Sequence, residues 1–104
     1  MTIKDVFDGR EICVLAEGPD EANNFIAMAA EQNMDGVQLW VEGNRFVQEP
    51  YTNKRWFHMH VIYGRILEVI NSPWSGTEFK CNYINAKALL RQAIDLNSWE
   101  QLMQ

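Results

Sequence analysis

His58 and His60 stand two apart in RWFHMHVIYGRILEV, residues 55–69, an apolar and aromatic run that offers the best chemistry in the chain. Side chains two apart on a strand project to one face, about 6.5–7 Å from each other. Two imidazoles at that spacing can share a metal ion, but a zinc site needs further ligands and groups that orient them. No clear third or fourth ligand follows the pair, and a hairpin turning on Gly64 puts Glu68 on the opposite face. The plainer account is a partly exposed sheet face on which histidine tolerates half-burial. The expectation is therefore no metal and no cofactor. His58 and His60 are kept as an alternative ligand or catalytic site, because histidine titrates near neutrality.

Cys13 and Cys81 are far apart in sequence and lack metal-ligand spacing. They read as two small buried hydrophobes, although neighbouring strands would bring them together and open a redox role. The nucleophile-elbow, phosphate-loop, dinucleotide-binding and HExxH patterns are absent. The acidic pair Asp20-Glu21 is accounted for by a helix N-terminus. These readings favour a protein that is not an enzyme.

Tryptophan is the stronger signal, with four in 104 residues. Trp74 lies in the loop NSPWSG, where burial is hard to achieve. A hairpin turning on Gly43-Asn44 faces Trp40 outward with Glu42, Trp56 shares the histidine face, and Trp99 reads as core. Tryptophan, tyrosine and arginine dominate binding hot spots. Trp40, Trp74, Glu42, Tyr51 and Trp56 are thus the expected partner-binding residues. The plainer account is that helices or loops cover these rings.

The chain has 104 residues and a net charge of −5. Area scaling gives a folded surface of roughly 6,000 Å² against about 17,500 Å² unfolded, enough burial for one core without staples. One domain, 1–104, is expected. Residues 1–49 hold ten acidic and three basic side chains, and residues 50–104 hold four acidic and six basic. An acidic chain is a poor phosphate binder, so nucleic acid is an unlikely ligand, and stacking of single strands on the aromatics with Lys54 and Arg55 is the weakest alternative. The acidic half suits a basic protein partner, and solubility is the plainer reason for the bias. No secretory signal and no membrane span is visible, which gives a cytoplasmic expectation.

The elements that must position these residues follow from periodicity. A short turn runs through TIKDVFDG, with Thr2 and Asp5 as a capping box and Gly9 as its end; a hairpin at Asp8-Gly9 is the rival. REICVLAE is apolar on both faces and reads as a central strand. Residues 19–34 form a helix with Pro19 at its first position and a stripe of Ala22, Phe25, Ile26, Ala29 and Ala30. Residues 37–49 read as a hairpin, and 56–70 as a second one. TEFKCNYI alternates, with Phe79, Cys81 and Tyr83 inward. Asn85 caps a last helix striped by Ala86, Leu89, Leu90, Ala93 and Ile94, and Ser98 with Gln101 starts a final turn.

The expected fold is α+β and two-layer: a mostly antiparallel sheet of about five strands with two main helices on one face. Phe25, Ile26, Val41, Phe46, Phe79 and Leu90 are its expected core. The function expected is that of a small acidic protein-binding module that masks a partner's surface, as an inhibitor, an immunity protein or a phage-type counter-defence factor does. A homodimer is the other use for an apolar sheet face.

Overall fold

The computed structural model describes residues 6–76 and 79–91. The readings at Thr2, Asp5, Glu78, Ala93, Ile94, Ser98, Trp99 and Gln101 lie outside these. The fold is α+β: a four-stranded mixed sheet with three helices among the described residues. The strands are β1 (Glu11–Glu17), β2 (Trp56–Ile62), β3 (Arg65–Ser72) and β4 (Asn82–Asn85), in the order β3-β2-β1-β4. β1 pairs antiparallel with β2 and parallel with β4, and β2 pairs antiparallel with β3. The expected count of about five, mostly antiparallel strands is thus met only approximately.

β1 lies between two strands, as its doubly apolar sequence requires. Ile12, Val14 and Ala16 meet the main core, while Cys13 and Leu15 enter a second cluster with Tyr83. Helix α1 (Gly18–Glu31) starts where Gly18, at φ 85°, turns the chain and donates its N–H to the Arg55 carbonyl at 2.6 Å. Pro19 follows, with Asp20 and Glu21 in the first turn, where the helix dipole favours negative charge. Ala22, Phe25, Ile26 and Ala29 are buried against the sheet. Phe25 meets Phe7 edge to face at 6.0 Å. Burying such a ring contributes roughly 1.5–3 kcal/mol. Asn33 ends the helix in a left-handed conformation, and the Met34 N–H reaches back to the Ala29 carbonyl, a usual way to occupy orphan carbonyls.

The expected hairpin at 37–49 does not form. Val37–Gly43 is helix α2, and 44–49 has no regular structure. The apolar residues there fit period 2, but a short apolar run also fits a helix. Burial goes to Val37, with Trp40 one turn on packing partly against the core, while Leu39 is 77% exposed and Val41 is exposed as well. The backbone of the following segment finds a partner other than a strand. The Asn23 side chain donates to the Phe46 carbonyl at 2.9 Å and accepts the Phe46 N–H at 3.1 Å. Val41 and Leu90 are therefore exposed rather than core, and Phe46 and Phe79 are half-buried.

The second hairpin forms with a different register. Its turn residues are Tyr63 and Gly64, both at positive φ (50° and 81°), the requirement of a tight type I′ turn. A bulge between His60 and Val61 then shifts the pairing, so His60 faces Glu68 and His58 faces Ile70. In α3 (Ala86–Arg91) the expected cap is present: the Lys87 N–H donates to Asn85 Oδ1 at 2.9 Å. No helix among the described residues is long and apolar enough to cross a membrane.

Candidate functional sites at the two ends of one sheet face

Period-2 alternation sets one sheet face toward the helices and leaves Cys13, Leu15, His58, His60 and Tyr83 on the other. The register sets His60 beside Cys13 and His58 beside Leu15. The pair shares a face, as expected. The half-burial expected of both holds only for His60, because His58 is completely buried. Trp74, Phe79 and Tyr83 account for this. The Trp74 backbone and the Tyr83 ring lie against His58, and Phe79 stacks on His60 at 4.5 Å and 25°.

His58 has a polar partner at each ring nitrogen. Its Nε2 donates to the Trp74 carbonyl at 3.1 Å, and its Nδ1 faces the Tyr83 hydroxyl at 3.3 Å. Tyr83 in turn accepts the Phe79 N–H at 3.0 Å. A buried imidazole satisfied on both nitrogens avoids the cost of an unpaired polar group, and here it holds the Trp74 backbone and the Tyr83 hydroxyl. Among the described residues no buried side-chain nitrogen or oxygen lacks a partner.

One end of this face carries the aromatic residues. Glu17, Trp56 and Ser72 are in register, so β1 and β3 end where β2 begins. The Trp74 ring projects from this end, 71% exposed. Its backbone is fixed on both sides, since its N–H donates to Ser72 Oγ at 3.1 Å and its carbonyl accepts from His58. Trp74 and Pro73 border a depression with Gln48, Asn53 and Arg55. Trp56 is half-buried, with the Arg55 guanidinium 5.1 Å from its ring centroid. Arg55 also approaches Glu17 at 3.7 Å, an exposed pair that contributes little. Tyr51 is fully exposed at φ 72°, an uncommon conformation for a bulky residue.

Two expected partner-binding residues lie elsewhere. Trp40 does not stand out from a hairpin; it is half-buried on α2 and packs on Phe46 at 5.7 Å. It lines a depression of about 270 Å³ between α1 and α2 with Asn23, Ile26 and Arg45. Glu42 is exposed on the same helix and accepts a hydrogen bond from Gln38.

The opposite end of the face carries the titratable groups. His60 Nε2 is 2.7 Å from Glu11 Oε1. Cys81 precedes Asn82, the parallel partner of Ile12, and so stands beside Glu11. The ligand atoms of Glu11, His60 and Cys81 all lie within 4.8 Å of one another. His60 thus has two ligand-type neighbours that do not include His58, and Glu68 lies on the histidine face and not, as expected, on the opposite one. The sequence carried no signal for this grouping, because Glu11, on β1, and Cys81, just before β4, are both distant from His60 in sequence.

Both cysteines are free. Burial pushes the Cys13 thiol from 9.0 up to about 12, with Tyr83's hydrogen bond acting against this and Cys81 adding to it. Burial also raises the Cys81 thiol, the Glu11 carboxylate adds to that, and a hydrogen bond from the Cys13 backbone N–H opposes both. Neither is an activated thiolate at neutral pH.

Comparison with models of known protein families, with curated proteins and with solved structures finds no match for this chain.

Proposed function

We propose that the protein is a non-catalytic binding module that masks the surface of another, basic protein, and that Trp74 is the centre of the surface it uses. The observation that carries this reading is an indole ring 71% exposed on a backbone bonded at both its N–H and its carbonyl. An exposed ring on a fixed backbone loses little freedom on binding, so more of its contact energy appears as affinity. The exposed Tyr51 of the neighbouring segment and the half-buried Trp56 extend the aromatic character of this end. Trp40 and Glu42 lie on α2 and join the surface only if the partner reaches beyond the 44–55 segment. The proposed activity is inhibitor-like, of the kind an immunity protein or a counter-defence factor exerts.

The test begins with a photo-crosslinking residue at position 74, to identify what contacts that site. Affinity for the identified partner is then measured for Trp74→Ala and Tyr51→Ala, with Leu67→Ala on exposed β3 surface as the control. Trp74→Ala is expected to weaken binding about thirty-fold or more, the effect of losing about 2 kcal/mol at a hot spot. Leu67→Ala is expected to bind as the parent does. A folded Trp74→Ala variant with parental affinity, or a crosslink only to a second copy of the chain, overturns the masking reading.

A further inference from the structure

We propose that Glu11, His60 and Cys81 form a binding site for a zinc-type divalent cation, with one coordination position open to solvent. The three ligand atoms converge from β1, from β2 and from the residue preceding β4, all within 4.8 Å of one another. The donor set is one carboxylate oxygen, one imidazole nitrogen and one sulfur, all ligand types that zinc accepts. Ligand atoms around a tetrahedral zinc stand about 3.3–3.6 Å apart, given bonds of about 2.0–2.3 Å. Closing the site therefore needs side-chain movements of about an ångström. The His60–Glu11 pair at 2.7 Å opens slightly, and Cys81 moves in.

The positions allow that movement. The Glu11 side chain is 50% exposed, His60 is 15% exposed and Cys81 is half-buried. An open depression lined by Glu11, Phe79, Lys80, Cys81 and Asn82 gives the ion its approach and leaves room for a water ligand. Phe79 stacked on His60 holds the ring in place, as groups around a metal ligand commonly do. Three protein ligands with a solvent position is a recurrent zinc arrangement. Bound ion would clip the segment before β4 to β1 and β2, and so lend stability to the native state. This site lies at the other end of the sheet from Trp74 and does not depend on the masking reading.

The experiment uses the full chain, expressed without a histidine tag, reduced, stripped with chelator and titrated with Zn²⁺ and with Co²⁺. The expected result is one equivalent bound, a thiolate-to-cobalt charge-transfer band and a zinc-dependent rise in Tm. Cys81→Ser and His60→Gln are expected to bind more than about 100-fold more weakly, beyond what loss of an outer-shell partner costs. Cys13→Ala is expected to keep the site, because the variant retains the Cys13 backbone N–H that bonds the Cys81 sulfur. A second readout needs no variant: zinc should protect Cys81 of the parent protein from alkylation, located by mass spectrometry. Binding without the thiolate band, affinity indifferent to Cys81→Ser, or Cys81 alkylated equally with and without zinc each overturns the site.

Discussion

At the scale of single residues, the buried thiol makes a prediction with a definite sign. Cys13 is fully buried, and its pKa is about 12 against 9.0 for a free thiol. Between these values the unfolded chain has lost the proton while the folded chain keeps it. Stability therefore falls as pH rises. The contribution is fully present below pH 9.0 and is lost as pH climbs through about 12. Its upper limit is about 4 kcal/mol, taking about 1.36 kcal/mol per pKa unit. Urea midpoints at pH 7.5, 9 and 10.5 (about one unit or more apart) should fall more steeply for the parent than for Cys13→Ala. Parallel curves would show that the thiol does not feel its burial. His58 illustrates a different residue-scale lesson. A histidine in an apolar run need not be a ligand or a catalyst; here it is the internal anchor for the Trp74 backbone.

At the scale of elements, the region 37–49 separates two readings of one sequence. As a hairpin, Leu39 and Val41 would be core and their truncation would cost about 2–5 kcal/mol. As helix α2 with an irregular tail, Leu39 is 77% exposed, and Leu39→Ala should change stability by less than about 0.5 kcal/mol. Phe25→Ala, at a fully buried position of α1, should cost about 3–5 kcal/mol. Denaturant unfolding of the two variants checks this. A large loss in Leu39→Ala would restore the hairpin. The apolar stripe of α1, its proline start and the doubly apolar β1 were legible in sequence, because each is a local pattern with one periodicity over many residues. The 37–43 run was not, because seven residues satisfy two periods and the choice fell to Asn23, which is distant in sequence and satisfies Phe46.

At the scale of the whole molecule, charge and shape act together. Ten of the acidic side chains fall in residues 1–49, and Glu17 and Glu49 are exposed on or near the segments that frame the Trp74 end. If a basic protein docks there, these charges steer the encounter. The association rate should fall about ten-fold or more as salt is raised from low to high concentration, while the dissociation rate changes less. Stopped-flow measurement at several ionic strengths decides the matter. An association rate indifferent to salt would remove the acidic half from the mechanism and leave the aromatic contact alone.

What the sequence determined by itself is whatever short-range periodicity and turn chemistry can specify. That covers the α+β class, the central strand, α1, the Asn85 cap, the shared face of His58 and His60, and the exposure of Trp74 in its Pro/Ser loop. What only the tertiary structure decided depends on pairing between distant segments. One bulge between His60 and Val61 moved Glu68 onto the histidine face, and a one-residue slip exchanges the faces of a strand. The parallel pairing of β4 with β1 brought Cys81 beside Glu11, and Trp74 and Tyr83, distant in sequence, met His58 and left it buried. No local pattern encodes these juxtapositions, because they arise from which strands become neighbours. That choice depends on the burial of both sheet faces at once.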